Sequence, residues 1–106
     1  MPGGALDAPG GALPHELALE RPSPNPALGA TTLRFALPRE SRVTLAIYDA
    51  TGRRVRDLVS GLIPAGDHTT TWDGRDGAGR LVPSGLYFCR LEAEGRTLNR
   101  RLATIH

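Results

Sequence analysis

Trp72-Asp73-Gly74-Arg75-Asp76-Gly77-Ala78-Gly79-Arg80-Leu81-Val82-Pro83-Ser84-Gly85-Leu86-Tyr87-Phe88-Cys89-Arg90-Leu91 is the stretch that decides the fold. A large aromatic is followed by a loop dense in Asp and Gly, residues that take tight turns without strain. Gly85 then leads into an alternating run, with Tyr87, Cys89 and Leu91 on one face and Leu86, Phe88 and Arg90 on the other. Alternation with a period of two is the mark of a half-buried strand. This is hairpin chemistry. It predicts that Trp72, Asp73, Gly74, Gly85 and Tyr87 form a structural motif.

The same alternation extends in both directions. Upstream, 31–37 places Leu33, Phe35 and Leu37 together, and 43–48 places Val43, Leu45 and Ile47 together. Tyr48 then falls on the opposite, exposed-looking face. In 53–59 the spacing breaks, because Val55 and Leu58 are three apart, which predicts a bulge or an early strand end. His68, Thr70 and Trp72 share a face in 67–72, where three consecutive Thr favour a strand over a helix. A short first strand is expected within 16–20 and a last one over 97–105. The inward set of that last strand is either Leu98/Leu102 or Ala103/Ile105. About seven short strands, with turn signals about every 8–12 residues, indicate an all-β antiparallel sandwich.

Composition agrees. The chain has 106 residues, 40% of them apolar, with 13 Gly and 9 Pro, which suits one domain with many turns. Residues 1–15 have the Gly/Pro composition of a flexible linker, and 16–106 form the sandwich. There is no run of 18 apolar residues, which predicts no membrane insertion. The start lacks the basic and apolar regions of a secretory signal. All 13 basic residues are Arg, and they are interleaved with 11 acids, so the small excess of +2 does not predict nucleic-acid binding.

Catalytic and metal chemistry find little support. Asp73 and Asp76 could be read as calcium ligands, but calcium takes about 6–8 oxygens and turn formation explains both. His15, His68 and His106 lie far apart and no Cys-x-x-Cys occurs. The lone Cys89 reads as a small core hydrophobe. Ser84 lacks a nucleophile elbow. Glu92 and Glu94 read as solvated charges. No enzyme activity, cofactor or metal site is expected. Trp72 is either a sugar-stacking platform or core, and with five aromatics in the chain the core needs it.

Three pieces together resemble a known family. They are Asn25-Pro26 with 32–38, then 43–49 with Gly52, Arg53 and Val55, and finally 65–68 through Trp72-Asp73-Gly74 to Ser84-Gly85-Leu86-Tyr87. Over 24–105 they resemble the Ig-like domain of the flagellar hook-capping protein and, equally, the C-terminal sorting domain of type IX secretion substrates. The resemblance implies a seven-stranded Ig-like sandwich that targets a larger bacterial protein for secretion and surface attachment. The parent protein would then be secreted or held at the cell surface. The alternatives are a structural module of a hook cap or surface filament, and an adhesive carbohydrate-binding module. The implied partners are secretion and attachment machinery proteins and an upstream domain of the parent chain. Sorting domains usually carry basic residues on the final strand, a role that falls here to Arg100 and Arg101. The chain stops one residue after that strand, as a C-terminal signal should, while the Gly/Pro-rich start with Met1 suggests an excised piece.

Overall fold

The computed structural model describes residues 13–105. Most of the linker assigned to 1–15, and His106 at the end of the sandwich range, lie outside the described residues. The rest is all β. The strands are β1 (Ala18–Leu19), β2 (Thr31–Leu37), β3 (Ser41–Asp49), β4 (Arg54–Ile63), β5 (Gly66–Trp72), β6 (Gly85–Ala93) and β7 (Arg96–Thr104). A three-stranded sheet in the order β1-β2-β5 faces a four-stranded sheet in the order β4-β3-β6-β7, every neighbouring pair antiparallel. This is an Ig-like sandwich.

Its interior comes from alternate positions of both sheets. Leu33, Phe35 and Leu37 of β2 meet Val43, Leu45 and Ile47 of β3 and Tyr87, Cys89 and Leu91 of β6. Trp72 is fully buried among them and stands edge-on to Tyr87, ring centroids 5.5 Å apart. Such an edge-to-face pair adds about 0.5–1.5 kcal/mol to the burial itself. On β7 the pairings Leu91↔Leu98 and Tyr87↔Leu102 resolve the inward set in favour of Leu98 and Leu102. Ile105 is left about half exposed.

The broken spacing in β4 has a concrete cause. The β3–β4 ladder shifts register twice, between Leu45 and Ala46 and between Ile47 and Tyr48, and the residues skipped are Leu58 and Val55. Each bulge turns an apolar side chain towards the core, and both pack against it. The strand does not end early. It continues to Ile63, because the register recovers from Val59 onward.

Candidate docking face and its flanking loops

Residues 73–83 fold on themselves at one end of the sandwich. The Trp72 indole Nε1–H donates to the Arg75 carbonyl at 2.9 Å, so the buried ring also fixes the start of the loop. Asp73 Oδ1 accepts from the Arg75 N–H and from the Arg56 guanidinium. Asp76 Oδ1 accepts from the N–H groups of Ala78 and Arg80. The Arg80 N–H, first among these causes, holds the Asp76 carboxyl below the usual carboxylate range. Both carboxylates are engaged with internal donors, as turn residues are. Among the described residues no group of three or more His, Cys, Asp or Glu is placed to hold a metal.

Gly74 has φ +79° and accepts from the Val82 N–H, closing the loop. Gly85 opens β6 at φ +155°, where an added Cβ would meet no atom but would strain the backbone. The Tyr87 hydroxyl donates to the Pro83 carbonyl at 2.6 Å, and burial, ahead of the Asp49 charge, pushes its pKa up. These five motif residues therefore build one corner of the scaffold. Cys89 is fully buried on the inner face of β6, and burial pushes its thiol up to about 11. At neutral pH it is a protonated, enclosed thiol.

The outer face of the four-stranded sheet carries Tyr48, Phe88, Arg90, Asn99 and Arg101, on β3, β6 and β7. Tyr48 lies on this face as its position demands, yet it is only 8% exposed. The Arg90 guanidinium sits 4.2 Å from its ring centroid, and Arg54 donates to its hydroxyl at 2.8 Å. Cation–π contact and hydrogen bonding thus cover the phenol with two arginines. The exposure expected of Tyr48 is not seen, because its neighbours on the sheet are long cations that fold over it. Trp72 and Tyr87 are equally unavailable, since both are buried.

Arg100 and Arg101 alternate on β7. Arg101 stands on the outer face opposite Phe88. Arg100 faces the other way, opposite Cys89, and reaches past the sheet rim to donate its Nε–H to the Leu19 carbonyl at 2.7 Å. The two residues remain exposed and share an open cleft of about 480 Å³ with Arg21, Asn25 and Asn99. Asn25 is held there by β7 itself: its Oδ1 accepts from the Ala103 N–H at 2.9 Å. Next to it, Ala27 exchanges backbone bonds with the end of β7, donating to Ala103 and accepting from Ile105. Sequence pattern singles out Asn25 only as part of a motif. Arg21 and Asn99 carry no signal at all, since the groups they join lie about 80 positions away or on the opposite side of a strand.

Residues 25–96 match the family described as the FlgD Ig-like domain. The basal-body rod modification protein FlgD of Salmonella typhimurium is 50% identical over 46 residues, 43% of this chain and 20% of that protein. The match thus spans about one-fifth of its curated relative. The crystal structure of FlgD from P. aeruginosa superposes with a TM-score of 0.55 at 27% identity, covering 70% of this chain and 59% of the other. PorZ, a surface component of the type IX secretion system of Porphyromonas gingivalis, superposes with a TM-score of 0.57 at 21% identity. That alignment covers 85% of this chain and 11% of PorZ, a likeness of fold alone.

Proposed function

The chain belongs to the FlgD Ig-like domain family, and from that premise we propose that it is a non-catalytic module that targets a larger bacterial protein for secretion and holds it at the cell surface. Membership itself makes it a structural, assembly-type domain. The finer reading rests on one observation. Arg100 and Arg101, two adjacent cations on β7, are exposed and form no ion pair among the described residues. Among the described residues four other arginines are paired, for example Arg39 with Glu94 at 3.2 Å and Arg56 with Asp73 at 3.1 Å. Unpaired cations on a rigid strand suit a partner that supplies the acid. The surface such a partner would meet is the edge of β7 together with the 21–25 segment, where both arginines line one cleft.

The test is a reporter fused ahead of the full 106-residue chain, expressed in a host with type IX export. Surface-attached reporter is expected, reduced when Arg100 and Arg101 are both changed to Gln. Reporter retained in the periplasm as fully as an untagged control would end this reading. The second reading, an assembly module of a flagellar hook cap, is favoured by the 50% identity to FlgD. Rescue of hook assembly, when this chain replaces the matching segment of FlgD, would select it.

A further inference from the structure

We propose that the cleft between the 21–25 segment and β7 binds a phosphate-type oxyanion. This deepens the docking reading of Arg100 and Arg101 and rests on it for those two residues. It adds Arg21, Asn25 and Asn99 as parts of one site.

Among the described residues three guanidinium groups and two carboxamides line the cleft, and no carboxylate does. None of the three arginines forms an ion pair among the described residues. The acceptor oxygens of both amides are engaged elsewhere. Asn25 Oδ1 takes the Ala103 N–H, and Asn99 Oδ1 takes the Arg90 Nε–H at 3.3 Å. Asn99 therefore offers the cleft its NH₂ group. Arg100 uses Nε on the Leu19 carbonyl, which fixes the guanidinium and leaves both terminal nitrogens free to donate. The whole chain carries an excess of only +2, yet three uncompensated cations converge here.

A single carboxylate has two oxygens and one charge, too few for this many donors. A phosphate group has at least three oxygens and up to two charges, and planar guanidinium forks match it edge to edge. The ligand is thus a phosphomonoester or pyrophosphate group, either free in solution or displayed as a lipid headgroup.

Pyrophosphate titrated into the intact chain, followed by NMR of the arginine Nε–H and asparagine side-chain resonances, tests this. Saturable shifts are expected at Arg21, Arg100, Arg101 and Asn99. Arg21→Gln and Arg101→Gln should each weaken binding about ten-fold or more, while Arg42→Gln on β3 leaves it unchanged. All three side chains are exposed, and melting curves of the variants would verify the fold. Co-sedimentation with vesicles containing phosphatidic acid, displaced by pyrophosphate, would assign a lipid headgroup. Binding of pyrophosphate without vesicle binding would assign a soluble phosphate. Both support the site. The absence of saturable shifts at millimolar pyrophosphate, or shifts untouched by Arg21→Gln, would overturn it. A glutamate-rich peptide that binds more tightly than pyrophosphate would also overturn it, while leaving the docking reading for a protein partner intact. Pyrophosphate binding in a chain that fails the export assay would support the site and remove the docking reading.

Discussion

Two irregular segments close this sandwich, and they do so by opposite means. The 73–83 loop is held mainly by its own residues, an indole N–H, two aspartates and a glycine bonding inside the loop and its flanks, with Val55 and Arg56 of β4 adding bonds from outside. The 21–27 segment is held by residues far away in the chain. Asn25 and Ala27 bond to Ala103 and Ile105, and Leu19 bonds to Arg100. The first is a local solution that makes only a few long-range contacts. The second ties the beginning of the described chain to its end. Local closure costs little loop entropy, whereas distant closure must await the rest of the fold.

The loop depends most on Trp72. Trp72→Ala should lower stability by about 3–5 kcal/mol, through lost burial and the cavity left behind. Trp72→Phe should cost less, because it keeps the ring but loses the bond to Arg75. Equilibrium denaturation measures both, and a cost below about 1 kcal/mol for the alanine variant would contradict a buried indole.

The clamp comes next. Asn25→Ala removes the acceptor for the Ala103 N–H and should cost about 1–2 kcal/mol. Amide exchange should quicken at Ala103 and Ile105 but not at Ala78 or Arg80. Equal quickening at both ends would mean that the two closures form one cooperative unit.

A third change works in the stabilising direction. Thr104 is buried beside the clamp with its hydroxyl unpaired among the described residues. Thr104→Val keeps the shape and removes the orphan, and should raise stability by about 1 kcal/mol. A loss in the same denaturation assay would show that the hydroxyl is needed.

The smallest effect is a pH dependence of the loop. The Asp76 carboxyl lies below its ordinary value in the fold. The folded state therefore binds fewer protons than the unfolded one. The stabilisation is complete above about pH 4 and is lost as pH falls through the folded value. Asp76→Asn should flatten the acid limb of a stability–pH curve. An unchanged limb would place the acid sensitivity in other carboxylates, Asp49 first, whose carboxyl the Thr51 hydroxyl also holds low.

The same division explains what could be read from residues alone. The loop was legible because turn chemistry is local: Asp-Gly pairs and a glycine at positive φ announce themselves in a window of ten residues. The faces of β2, β3 and β6 were legible because alternation is periodic. At β4 the pattern broke at the right residues, Val55 and Leu58, and left open whether the strand bulged or ended. Alternation puts Tyr48 on the face it occupies but does not give its exposure, since cover by Arg54 and Arg90 depends on how long side chains lie across neighbouring strands. The clamp and the arginine cleft were illegible. They depend on segments about 75–80 positions apart meeting edge to edge, and no local rule encodes that meeting.

Ala27 and Thr104 form a parallel bridge at the sandwich rim. When tension is applied through the chain before Asn25 and beyond Thr104, the two partners are dragged past each other along their length. Their backbone bonds are then loaded together, in shear, instead of being peeled one after another. Antiparallel hairpins such as β6–β7 would unzip under a comparable pull at their open ends. A domain loaded in that direction gains mechanical endurance from the geometry, with no increase in its equilibrium stability.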